Sequence, residues 1–85
     1  MEEELKKYIL SLFVDDSGNA KIIYPADVYP SVLERYKAKG KTISLEEFMK
    51  LLDELANEGL IEKLGEDKYK ISEKGKQLLG RVFSL

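Results

Sequence analysis

Between Ser44 and Glu58 the apolar residues Leu45, Phe48, Met49, Leu51, Leu52, Leu55 and Ala56 fall on one arc at about 100° per residue, and every other position is polar. That spacing predicts an amphipathic helix. Ser44 and Glu47 supply the S-x-x-E pattern in which each side chain satisfies a backbone N–H at the helix start. Ile43 before the cap and Phe48 inside the helix are placed to form a hydrophobic staple. Gly59 suits the left-handed position after the helix, and Leu60 is then set to touch Leu55. Next come two strand-like runs, Leu60-Ile61-Glu62-Lys63-Leu64 and Lys68-Tyr69-Lys70-Ile71-Ser72, separated by Gly65-Glu66-Asp67, which predicts an antiparallel hairpin. A period of two puts Lys68 and Lys70 on one face of the second strand and Tyr69 and Ile71 on the core side. Ser72 reads as the N-cap of a last helix carrying Leu78, Leu79, Val82 and Phe83.

The earlier part of the chain is less sharply marked. Glu2 to Val14 reads as a first helix, with Leu5, Ile9, Leu12 and Phe13 at helical spacing and the leading glutamates at the positive end of the helix dipole. Asp15-Asp16-Ser17-Gly18-Asn19 breaks it. Ala20 to Tyr24 is a short β-branched run suited to a third strand beside the hairpin, ended by Pro25. Asp27 is placed to cap a second helix, with Pro30 in its first turn and Val28, Val32, Leu33 and Tyr36 as its apolar stripe up to Gly40. Gly40-Lys41-Thr42 is then the turn into the Ser44 helix. The expected order is helix, strand, helix, helix, strand, strand, helix: an α+β chain in a single domain over 1–85, with a three-helix core, a small antiparallel sheet and a C-terminal helix.

Composition narrows the chemistry. The 85 residues include no cysteine and no histidine, so disulfides, thiolate or imidazole metal ligands and cysteine or histidine catalysis are excluded. No glycine-rich phosphate loop can be drawn through glycines that stand singly at turns and helix ends. Asp15-Asp16 and Asp53-Glu54 are paired acids without a partner set for metal or acid/base work. The sequence therefore predicts neither an enzyme nor a cofactor. Met-Glu-Glu-Glu is opposite in charge to a secretory n-region, and Tyr8 to Val14 is too short to span a bilayer, so a soluble cytoplasmic protein without a membrane partner is expected. Fourteen basic and 16 acidic side chains leave a net charge of −2, and any attraction for nucleic acid must come from a local patch. The Lys- and Glu-rich composition, with one Gln and two Asn, fits a thermophile.

Glu58-Gly59-Leu60-Ile61, then Tyr69-Lys70-Ile71-Ser72-Glu73-Lys74-Gly75 and Leu78-Leu79, is similar to the end of the recognition helix, the wing and the following helix of winged helix-turn-helix regulators. PadR-like, MarR-like and compact archaeal or archaeal-virus proteins share this look. The resemblance covers roughly the last 40 residues well and the helix before them loosely. It implies double-stranded DNA as partner and a small transcriptional regulator as role, with the Ser44 helix in the major groove and Lys68 and Lys70 near phosphates. Winged helices also serve as protein-interaction modules, so the fold alone leaves both roles open.

Charge distribution bears on that choice. The polar face of the Ser44 helix is Glu46, Glu47, Lys50, Asp53, Glu54, Asn57 and Glu58, five acids against one base. Carboxylates held at phosphates oppose binding. They either complement the helix dipole and solvate a surface helix, or form an acidic docking face for a basic protein partner. The cations available for DNA are Arg35, Lys37, Lys39 and Lys41 around the turn, Lys50 on the helix, and Lys68 and Lys70 on the wing. Tyr36, within the basic turn, is expected to face the core. The wing lysines Lys63, Lys68 and Lys70, with Lys74 and Lys76 following, are nearly balanced by Glu62, Glu66, Asp67 and Glu73. The apolar tail Val82-Phe83-Ser84-Leu85, with Leu5, Tyr8 or Leu12, suits either the monomer core or a homodimer held by the first and last helices.

Overall fold

Both devices expected at the ends of the Ser44 helix are formed. Ser44 Oγ accepts from the Glu47 N–H at 3.1 Å, and the Glu47 carboxylate accepts from the Ser44 N–H at 2.9 Å. At the far end Gly59 has φ +79°, the Leu60 N–H donates to the Leu55 carbonyl at 3.0 Å and the Gly59 N–H to Ala56 at 3.0 Å. That pair of bonds is the Schellman motif. The staple residues Ile43 and Phe48 are both buried in the core.

The computed structural model describes residues 3–83, with side chains through 80. The elements are α1 Glu3–Ser11, α2 Pro25–Ala38, α3 Leu45–Asn57, β1 Ile61–Lys63, β2 Tyr69–Ile71 and α4 Glu73–Phe83. Over the described residues they make a small α+β protein with four helices and a two-stranded antiparallel sheet. The hairpin register pairs Ile61 with Ile71, Glu62 with Lys70 and Lys63 with Tyr69. Leu5, Ile9, Leu10 and Phe13 from the α1 region, Val32 and Tyr36 from α2, Phe48, Leu52 and Leu55 from α3, and Ile61, Tyr69 and Ile71 from the sheet form one buried cluster. Tyr36 is thus a core residue, as its spacing indicated.

Three expectations for the first half are corrected. The first helix ends at Ser11 and not at Val14, because Leu12 and Phe13 donate to Ile9 and Leu10 three residues back and tighten the turn. Val14 then bridges to Ala20, and Asp15 Oδ1 accepts from the N–H groups of Ser17 and Asn19. These backbone hydrogen bonds, Asn19's foremost, hold the Asp15 carboxyl below its ordinary pKa. The segment from Ala20 to Tyr24 forms no strand: its contact with the sheet is one bridge, in which Ile23 and Tyr69 exchange hydrogen bonds of 2.8 and 3.0 Å. A β2 of three residues gives it little to pair with, and Pro25 turns the chain at once into α2. Asp27 is accordingly no cap. Pro25 opens α2 with its preset φ, Tyr24 stands at the N-cap without a side-chain bond, and Asp27 serves the dipole from the first turn. Pro30 is therefore inside the helix.

The turn between α2 and α3 repeats the device that ends α3. Gly40 has φ +74°, its N–H donates to Lys37 at 3.0 Å, and the Lys41 N–H donates to Tyr36 at 2.9 Å. Tyr29, overlooked in the sequence, secures the turn: its hydroxyl donates to the Ile43 carbonyl at 2.6 Å and its ring lies 6.3 Å from that of Phe48.

The cap carries the first prediction. Ser44→Ala is expected to lower unfolding free energy by about 1 kcal/mol in urea titrations at neutral pH. The Ser44 N–H holds the Glu47 carboxyl below its ordinary pKa. A carboxyl depressed in the folded state stabilises above its unfolded pKa, and this contribution fades as pH falls through the folded value. That N–H remains in Ser44→Ala, so Glu47→Ala is the variant whose deficit should shrink in acid. An unchanged deficit from neutral to strongly acidic pH would show the reciprocal bond to be energetically idle.

Candidate nucleic-acid interface

The polar residues exposed on α3 are those the helical period leaves outside: Glu46, Glu47, Lys50, Asp53, Glu54 and Asn57, continued by Glu58 at the C-cap, and Leu45 at the helix start is exposed with them. Three of the acids have structural work. Glu47 closes the capping box. Asp53 Oδ1 accepts from the Tyr69 hydroxyl at 3.2 Å and lies 3.8 Å from Lys63 Nζ. Glu58 takes Lys6 of α1 at 3.0 Å through its carboxylate, and Lys74 of α4 at 2.8 Å through its backbone carbonyl. The hydrogen bond to Glu58 raises the Lys6 pKa above its ordinary value. Glu46 and Glu54 remain without an ion pair among the described residues.

Lys63 and Asp53 tie the hairpin to α3, and neither was singled out together in the sequence. Tyr69 is fully buried, its hydroxyl reaches Asp53, and Lys63 Nζ stands 5.9 Å from its ring centroid. Burial first, then the Asp53 charge, pushes the Tyr69 phenol above its ordinary pKa. The available clue was alternation: Lys63 shares the face of Ile61, and a lysine on the core side of a hairpin needs an acid nearby.

The basic turn is partly spent on holding α1. The Arg35 guanidinium lies 4.2 Å from the centroid of Tyr8, whose hydroxyl donates to the Ser31 carbonyl at 3.4 Å. Lys39 pairs with Glu4 at 3.2 Å. Lys37 and Lys41 are exposed at the α2 end and in the turn. Lys50 is exposed on α3, one turn before Asp53 and therefore on the side facing the hairpin. Lys68 is exposed and Lys70 half-buried; by alternation they occupy the sheet face opposite Tyr69 and Lys63. The seven candidate cations thus divide into a pair turned to α1, a group of three on and before α3, and a pair on the outer face of the hairpin.

Among the described residues no group of three or more carboxylates is placed to hold a metal, and no helix is long and apolar enough to cross a membrane. Comparison with protein-family models, curated proteins and solved structures finds no match.

Proposed function

We propose that this chain is a winged-helix protein that binds double-stranded DNA as a small transcriptional regulator. The observation that supports this reading is the Asp53 junction, which sets an exposed, rigidly capped helix beside a lysine-bearing hairpin. In this reading α3 and the hairpin approach the duplex together, and Lys37, Lys41, Lys50, Lys68 and Lys70 supply the phosphate contacts. Three of the α3 acids are held in intramolecular bonds, which lessens their opposition to phosphate.

Duplex titrations at several salt concentrations test it. Binding should weaken steeply with salt, and Lys68→Ala with Lys70→Ala should lower affinity for all sequences and reduce the salt slope by about one unit per lost phosphate contact. Glu54→Gln should strengthen non-specific binding. The second reading, docking of a basic protein on α3, is favoured by Glu46 and Glu54, which have no ion pair among the described residues. Absence of binding to any duplex at about 50 mM salt would select that reading.

A homodimer through α1 and α4 is the further proposal on assembly. Leu5 is buried within the protomer and is not available for it; Tyr8, Leu12 and Leu78 are partly exposed. The side chains of Val82 and Phe83, and Ser84 and Leu85 entirely, lie outside the described residues. Sedimentation at high micromolar concentration should give the dimer mass, and a monomer there would refute it.

A further inference from the structure

Among the described residues, three of the four large apolar side chains most open to solvent, Ile22, Tyr24 and Leu64, gather on one surface. Ile23, Tyr69 and Lys63 stand in register across three neighbouring chain segments on the core side. Alternation therefore puts Ile22, Lys70 and Glu62 in one row of the outer face, and Tyr24, Lys68 and Leu64 in the next. Neither DNA binding by α3 nor the stability of the core uses Ile22 or Tyr24.

The outermost segment of this surface is also an open edge. Ile23 exchanges both backbone bonds with Tyr69, and the Lys21 N–H donates to the Phe13 carbonyl, so residues 21 and 23 turn their polar groups inward. Ala20 and Ile22, at the alternate positions, turn theirs outward, and among the described residues neither their N–H nor their C=O groups have a partner; the Tyr24 N–H is likewise unpaired. Natural edges are usually guarded by charge or bulges, and a large apolar patch seldom stands unused. Here the unpaired row borders Ile22 and Tyr24, which are 48% and 41% exposed.

The surrounding charge selects the occupant. Lys21, with Asp15 nearby, is exposed on the face of Ile23, and Lys68 and Lys70 stand on the outer face in the rows of Tyr24 and Ile22. Glu62, the acid of the outer face, lies one strand further off, in register with Lys70. From the open N–H and C=O groups, the apolar side chains and the cations on both sides, we infer that the Ala20–Tyr24 edge accepts an extended acidic peptide as an added strand. On the outer face aliphatic side chains of the peptide pack on Ile22 and Tyr24 while carboxylates reach toward Lys68 and Lys70, and on the opposite face a carboxylate lies toward Lys21. Backbone bonds give such a complex its affinity, and the side-chain pattern gives its selectivity.

The probe is a synthetic peptide repeating Glu-Glu-Val-Val, which presents both residue types on each face of a strand, titrated into the full chain and followed by amide shifts and hydrogen exchange. Exchange of the Ala20, Ile22 and Tyr24 amides should slow on saturation. A peptide with lysine in place of glutamate should not bind. Ile22→Ser with Tyr24→Ser removes the apolar contacts without adding charge beside Lys68 and Lys70 and should weaken binding by about tenfold or more, while duplex DNA titrations of the same variant stay unchanged. That separation keeps this inference distinct from the DNA reading. Unaltered exchange at Ile22, equal binding of the basic peptide, or capture of a single-stranded oligonucleotide by this face with no capture of the acidic peptide would each overturn it.

Discussion

Leu55→Ala is expected to lower the unfolding free energy by about 2–5 kcal/mol. Leu55 is fully buried on the apolar arc of α3, beside Leu52 and Phe48, which are also inaccessible to solvent. Removing its side chain loses transfer free energy and leaves a cavity among residues fixed by two helices and the sheet. Its carbonyl also accepts the Leu60 N–H of the Schellman turn, so the cavity opens where α3 must stop. Small domains have total stabilities of roughly 5–15 kcal/mol, and this one loss takes a large share of it. Leu45→Ala on the same helix, at a side chain 40% exposed, should cost well under about 1 kcal/mol. Urea titrations of both variants check the contrast; similar values would contradict the assigned inner face of α3.

Gly75→Ala is expected to be destabilising by about 3 kcal/mol or more, although alanine is the better helix former. A Cβ at this position would run into the Leu60 carbonyl oxygen and approach Ile71 Cγ1 to 2.7 Å. The oxygen has no freedom to withdraw, because it accepts the Ser72 N–H at 3.0 Å. The helix start is pinned as well: Ser72 Oγ accepts from the Gly75 N–H at 3.0 Å and donates to the Gly59 carbonyl. Gly80, further along α4, has nothing within 4 Å of a built Cβ, and Gly80→Ala should stabilise by about 0.5–1 kcal/mol. Opposite signs for the same substitution in one helix, read from thermal or urea midpoints, would establish the close approach.

The second half of the chain was legible because its determinants are local. A capping box, a glycine at a helix end and an alternating hairpin each act over a few residues, and the structure realises Ser44, Gly59 and Ser72 in those roles. The first half was read less well where the decision depends on distant residues. Whether Ala20 to Tyr24 becomes a strand depends on the length of β2, some 45 residues away in sequence, and Leu10, inside α1, is buried although the stripe of Leu5, Ile9, Leu12 and Phe13 leaves it out. The charged residues were hardest to place. Arg35 and Lys39 look like a cationic turn in sequence, yet Tyr8 and Glu4 draw them to α1, and local spacing contains no trace of such partners. Lys63 carried a usable clue in its alternation; Glu58, bonded to two helices at once, carried none.

The tight seat of Gly75 and the single Ile23–Tyr69 bridge make the two flanks of the hairpin mechanically unequal. On the α4 flank, backbone touches backbone, and small displacements meet steep repulsion. On the other flank the join to the sheet is one pair of hydrogen bonds together with the buried Ile23 side chain, a narrower contact. Compliance is thus concentrated in the connection between α1 and α2. A load applied to the sheet should move that connection first and reach α4 last.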